Sequence, residues 1–270
     1  MSTKPKLNLF KIERSKTNSG ILGYFEKLIR SHPLIYLLSR YLIRYTNIFE
    51  EDANGVNYLK LNEDVNIIDV GASDGIAAKF FCRNLKVKNI ICYEPNASFV
   101  KILKKLNINN LIVKPYAIGN KNTLKKIFFP RYKFFNKNLD MITYTCYSKK
   151  TLLTHIKLDI KYRKNLQIIE KKLHIKKIKK LDLKIDLIKL DVNDNGLSVI
   201  NGLSHIIRRD KPALIVETDF DILDIYKKLK PYGFDKYFFS QTNNKFIKIK
   251  KKLPLNTYFL QKNHLKRINI

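Results

Sequence analysis

The nine residues Ile67-Ile68-Asp69-Val70-Gly71-Ala72-Ser73-Asp74-Gly75 constrain the fold more than any other stretch. Asn66–Val70 is short, apolar and ends at glycine, the pattern of a strand buried on both faces. Ile76–Asn84 then carries helical spacing. A buried strand that turns straight into a helix opens a βαβ unit, and such units build parallel sheets covered by helices. Glycines four apart let the backbone turn sharply and approach a ligand, while the helix that follows offers free N–H groups.

The rhythm continues. Asn89–Tyr93 reads as a second buried strand, Ala97–Leu106 as a helix, and Leu111–Val113 opens a third strand. Further on, Ile185–Asp191 and Ala213–Thr218 read as strands, with helices over Leu197–Arg208 and Ile222–Leu229. Phe234–Phe239 and Thr257–Leu260 read as two final strands. Strands alternating with helices at short spacing predict an α/β fold.

Two regions stand outside this pattern. Residues 1–19 are polar and basic, the composition of a frayed arm, and residues 20–48 carry two helical patterns split at His32-Pro33. The expected organisation is an N-terminal arm with helices over 1–50 and one domain over 51–270. Leu34–Leu42 is too short to span a bilayer. It is expected to pack on the domain, with peripheral contact to a membrane surface as the other reading. In the middle, Leu124–Phe129 suggests an extra strand. Pro130–Lys150 suggests a long aromatic loop, either a lid or a wrapped excursion. Leu173–Lys184 suggests a half-exposed strand.

The net charge is +30 and the pI about 9.9. Such a charge suits anionic partners, nucleic acid among them. The abundance of Lys, Ile and Asn also matches an AT-rich coding bias, which is the expected cause. Cys82, Cys92 and Cys146 have no paired spacing, and no Cys/His cluster has zinc spacing. With no apolar signal core at the start, a cytoplasmic protein is expected.

In an open parallel sheet, ligands sit at the carboxyl ends of the strands. The turn after the first strand departs from the dinucleotide fingerprint G-x-G-x-x-G, because Ser73 stands at the middle glycine. That glycine admits a pyrophosphate, so a nucleoside ligand without one, such as S-adenosylmethionine, fits better. A nicotinamide dehydrogenase is disfavoured on the same ground. Glu94 ends the second strand, where an acid can accept from both ribose hydroxyls, and Pro95-Asn96 starts the next helix. Ala117-Ile118-Gly119 follows the third strand and could flank an adenine ring. Asp191 and Glu217 end later strands at the same rim. Asp191 could orient the cofactor or act as base. Glu217 reads equally as a base or as a salt-bridge partner, and the two acids could hold a divalent ion. No metal ligands are assigned. His155, His174 and His205 have the right chemistry for a base, but nothing in the sequence brings them to this rim.

Together these segments resemble the FkbM-type methyltransferases over roughly residues 55–260. The matching pieces are Asp69–Gly75, Glu94-Pro95-Asn96, Ala117-Ile118-Gly119, Ile185–Val192, Val199–Leu203 and Lys211-Pro212 through Glu217. The resemblance implies a Rossmann-like class I methyltransferase fold: a mostly parallel seven-stranded sheet with a reversed last strand and helices on both faces. It implies S-adenosylmethionine as cofactor and O-methylation of a sugar or glycan precursor. Asp69, Gly71, Ala72, Ser73 and Gly75 would hold the methionine end. Glu94, Pro95 and Asn96 would hold the ribose, Ala117 the adenine side and Asp191 the reacting end, with Glu217 beside it. Where the family usually has Glu-Gly after Asp-Val, this chain has Asn193-Asp194, which leaves open a changed acceptor or lost turnover. Two alternatives remain: an RNA methyltransferase, and a non-catalytic cofactor-binding protein of a glycan pathway.

Overall fold

In a computed structural model of the chain, residues 33–43, 51–134, 137–153, 166–218, 221–250 and 253–265 are described. The main sheet begins with β1 (Val65–Val70), β2 (Val87–Tyr93) and β3 (Leu111–Lys114). The chain then leaves for a second, four-stranded sheet made of β4 (Ala117–Ile118), β5 (Thr123–Phe134), β6 (Lys137–Asp140) and β7 (Leu166–Lys176). It returns as β8 (Leu187–Leu190), β9 (Ala213–Glu217), β10 (Asp235–Ser240), β11 (Lys245–Lys248) and β12 (Asn256–Leu260). The helices are α1 (Pro33–Ile43), α2 (Ile76–Asn84), α3 (Ala97–Lys104), α4 (Gly196–Gly202), α5 (Ser204–Asp210) and α6 (Ile222–Leu229).

The order across the main sheet is β11-β10-β12-β9-β8-β1-β2-β3. Strands β1, β2, β3, β8 and β9 run parallel, and β12 runs against both β9 and β10. The sheet is therefore mixed and has eight strands, not seven. The eighth, β11, pairs antiparallel with β10 as a hairpin. Its sequence, Lys-Phe-Ile-Lys, is a short, charged edge strand with little apolar signature.

Alternation along the strands divides the core. Ile68, Val70, Ile91, Ile188, Leu190, Leu214 and Val216 face α4, α5 and α6. Ile67, Ile90, Cys92, Leu187 and Ile215 face α2, Leu103 of α3 and the 3-10 helix Glu51–Tyr58. Both faces are dry, so the strands read as continuous apolar runs. The expected single helix over Leu197–Arg208 is broken at Leu203. A Cβ on Gly202 would lie 2.3 Å from the Gly119 carbonyl oxygen, so the chain turns there against the second sheet's first strand.

Nine of the nineteen described residues in the region expected as a loop, Pro130–Lys150, are strand. β5 continues through Pro130 to Phe134, and its residues Thr123–Tyr132 pair with β7. Phe128 exchanges both backbone bonds with Cys146, and the Pro130 carbonyl accepts from Met141 N at 2.9 Å. The side on which Pro130 lacks an N–H thus falls where β6 has already ended, and the proline costs no ladder bond. Tyr132, Met141, Cys146 and Leu152 form a small core of their own beneath this sheet. The strand expected over Leu173–Lys184 lies earlier, at Leu166–Lys176.

On α1, Leu34, Leu38, Tyr41 and Leu42 are 42–58% exposed, so this face does not pack into the fold as expected. The arm over residues 1–19 and the first expected helix lie outside the described residues. No helix among the described residues is long and apolar enough to cross a membrane.

β1 and β8 meet most tightly just past their ends. Gly71 has φ +80°, and a Cβ there would lie 1.8 Å from the Asp191 carbonyl oxygen. Gly71→Ala combines a left-handed backbone with a clash against backbone, so it should destabilise by about 2–5 kcal/mol. A urea melt that moved by less than about 1 kcal/mol would show that the contact is not tight.

Candidate functional site

The carboxyl ends of β1, β2, β8 and β9 converge on one rim. Gly71 leaves β1, Ser73 follows in the left-handed region at φ +50°, and Gly75 starts α2 at φ +81°. Gly71 N and Ala72 N both point at the Tyr93 carbonyl, at 3.0 and 3.4 Å, which ties the turn to the end of β2. Ala72 is buried beneath this contact.

Glu94 completes the tie. Its Oε2 accepts from Ser73 N at 2.8 Å and its Oε1 from Asn96 N at 2.8 Å. The side chain is only 6% exposed. Burial pushes its pKa up to about 7, against the opposing pull of the Asn96 and Ser73 N–H groups and with the help of Asp69 and Asp191. Asn96 itself caps α3, its Oδ1 accepting from Ser98 N at 2.8 Å. Pro95 lies half-buried between the two.

Beneath the rim lies a buried ionic group. Asp69 and Lys189 are register partners on β1 and β8, and both are buried. Lys189 Nζ stands 3.7 Å from Asp69 Oδ1 and 3.2 Å from Asp191 Oδ2. Neither Asp69 oxygen has a hydrogen-bond partner. Burial raises the Asp69 pKa, and Lys189 opposes the shift. Asp191 and Glu217 follow Leu190 and Val216, which are register partners, so the two acids stand on adjacent strand ends. Among the described residues no group of three His, Cys, Asp or Glu is placed to hold a metal ion.

Ala117 lies on β4, buried and paired with Ile175 of the second sheet. His174 sits exposed on β7. His205 lies on α5, its pKa lowered by burial and by Arg209, Lys177 and Arg208. His155 lies outside the described residues.

Three features escaped the sequence reading. Lys189 was legible as a lone lysine inside an apolar strand, but its partner needed the β1–β8 register. The second is the loop after β8, where Asn193-Asp194 replaces the usual pair. Asn193 Nδ2 donates to the Thr145 carbonyl (2.9 Å), and Asp194 accepts from Tyr147 N (2.8 Å) and Ser148 N (3.0 Å). Asn195 Oδ1 accepts from Lys125 Nζ (3.2 Å). Three consecutive residues thus staple the second sheet to the rim. The third is Tyr147, which lies under Lys125 Nζ at 5.2 Å. Burial, with the charges of Asp194 and Glu94, pushes its phenol pKa up and keeps it protonated.

These residues suit a nucleoside ligand without a pyrophosphate. A glycine turn admits close backbone approach, a buried Ser73 hydroxyl lacks a partner, and a buried carboxylate already orders the turn. The strand order, the turn and the acid one strand later define a class I, Rossmann-like methyltransferase fold. The chain belongs to the FkbM methyltransferase family: the Methyltransferase FkbM domain model matches residues 69–236. Among solved structures the chain is similar to the methyltransferase FkbM from Methylobacillus flagellatus, with 14% identity and a TM-score of 0.46. That match covers 73% of this chain and 44% of that one, so less than half of that protein's length is represented here. An rRNA methylase from Streptococcus thermophilus matches at 9% identity and a TM-score of 0.38, covering 81% of this chain and 99% of the other. TrmK of M. capricolum, in complex with S-adenosylhomocysteine, matches at 11% and 0.36, covering 82% and 72%. No curated protein matches the chain.

The Asp194 staple makes a local prediction. Hydrogen bonds to a charged group are worth about 1.5–3 kcal/mol each. Asp194→Ala should speed amide exchange across residues 146–152 tenfold or more and leave β1 and β8 protected. Unchanged exchange in that segment would refute the staple.

Proposed function

We propose that this chain is an S-adenosylmethionine-dependent methyltransferase that acts on a hydroxyl of a sugar or glycan precursor. The observation that carries the cofactor half is Glu94, a buried carboxylate that holds the Ser73 amide and sits one βα step after a glycine turn. The cofactor supplies a methyl group activated on a cationic sulfur. Gly71, Ala72, Ser73 and Gly75 give its methionine end a close backbone cradle, with Asp69 beneath. Glu94 binds the ribose hydroxyls, while Pro95 and Asn96 hold Glu94 and start α3. Ala117 backs the adenine side.

Asp191 and Glu217 face the acceptor. Either carboxylate can take the proton of an acceptor hydroxyl, and Lys189 keeps Asp191 in place. Much of the catalysis then lies in positioning, with the second sheet and its Tyr147 segment closing the site. Asn193-Asp194 serve as fasteners in this reading, so their departure from the family pattern does not remove a base.

A second reading has one observation of its own. Within residues 117–180 the described part carries fourteen Lys or Arg and two acids. Charge concentrated on the second sheet is what a nucleic-acid acceptor would want, and binding to RNA would then weaken steeply with salt.

Calorimetry with S-adenosylhomocysteine tests the cofactor assignment. Ribose hydroxyls donate to a carboxylate, so binding needs Glu94 ionised. With a pKa of about 7, its affinity should rise between pH 6 and pH 8 and flatten above. In the free protein the sign reverses. The folded state holds this proton more tightly than the unfolded chain does. The resulting stability is full below about pH 4.5 and is lost as pH rises through 7. Glu94→Gln should cut affinity by at least tenfold and abolish the pH dependence. Wild-type affinity in that variant would contradict the assignment.

A further inference from the structure

We propose that the cleft between the 3-10 helix Glu51–Tyr58 and the β10–β11 hairpin binds a neutral saccharide unit. The cavity, of about 370 Å³, is lined by Asn54, Asn57, Tyr58, Phe239, Gln241 and Asn244. Four of the six are carboxamides and two are aromatic. None is Lys, Arg, Asp, Glu or His, although 28% of the chain is charged. A carboxamide offers a donor and an acceptor side by side, which matches a hydroxyl that does both. An aromatic ring offers an apolar face for the C–H side of a pyranose. A phosphate or a nucleic acid backbone finds no cation in this lining.

The cleft is built rigidly. A Cβ on Gly55 would lie 2.8 Å from the Tyr258 hydroxyl and 2.9 Å from Phe239 Cβ, so the 3-10 helix lies directly on β10 and β12. Asp52 anchors it: Oδ2 accepts from Asn256 N (3.1 Å), Oδ1 from Asn256 Nδ2 (3.0 Å), and its carbonyl from the Tyr258 hydroxyl (2.7 Å). The Tyr58 and Phe239 rings stand 4.8 Å apart at 35°. Asn57 Nδ2 donates to Asn84 Oδ1 at 3.2 Å, which fixes its amide plane. Across the cleft, Asn244 N donates to the Gln241 carbonyl (3.2 Å), and Asn244 holds φ +47°, a conformation asparagine tolerates.

The place in the fold matters. β10 runs parallel to β8 and β9, so Gln241–Asn244 lie at the same edge of the sheet as Asp191 and Glu217. Three strand spacings separate β8 from β10, about 14 Å. One unit of an oligomeric acceptor would rest here while another reaches the rim. As an acceptor subsite the cleft rests on the sugar-acceptor reading above, whereas saccharide binding at the cleft can be measured without it.

Saturation-transfer NMR on the full chain tests this with glucose, galactose, rhamnose, N-acetylglucosamine and cellobiose, and with a 12-nucleotide RNA as the charged control. The comparison variant is Gln241→Ala with Asn244→Gly. It removes two amides, and the glycine keeps the left-handed turn. At least one saccharide should show transfer that falls fivefold or more in the variant, with Tm and S-adenosylhomocysteine affinity unchanged. Asn54→Ala, on the opposite wall, should show the same loss. The proposal is overturned if no saccharide binds the wild type, if binding survives both variants, or if only the RNA binds. Failure of S-adenosylhomocysteine to bind would sink the cofactor reading and leave this cleft standing.

Discussion

The backbone contact between Gly71 and Asp191 organises this molecule. It forces β1 and β8 to end together, so the turn after β1 and the acid after β8 share one rim. Only a residue without a Cβ permits that approach, and only a positive φ turns the chain away in time for α2 to begin. The second tie, from Glu94 to the Ser73 amide, brings β2 into the same corner. Three strand ends are thereby fixed by backbone geometry before any ligand is considered.

That corner is also where charge is buried. Asp69, Lys189, Asp191 and Glu94 lie close together, with Asp69 and Lys189 removed from water by α2 and the sheet. Carboxylates beside one another in a dry site raise each other's pKa, and the single lysine offsets this only in part. A buried carboxyl group poised near neutrality is a costly arrangement for stability and a useful one for binding.

Most of the sheet could be read from the chain because parallel strands covered on both faces leave continuous apolar runs. The turn, Glu94, Asp191 and Glu217 were legible as strand ends. What escaped has physical reasons. β11 is too short and charged to leave a pattern. Pro130 looks like a break, yet falls where no ladder bond is due. Lys189 needed the register to reveal its partners, and Asn193–Asn195 act through backbone groups 46 to 48 residues away and through the Lys125 side chain 70 residues away in sequence. The second sheet draws its order from this stapling and from a core of its own, neither of which has a local signature.

The central claim is that the glycine turn and Glu94 form one nucleoside pocket. A crystal structure of the chain grown with S-adenosylhomocysteine tests it most directly. The ribose hydroxyls should lie on Glu94, with the homocysteine end along Gly71–Gly75. Ligand bound elsewhere, or a ribose turned away from Glu94, would contradict it.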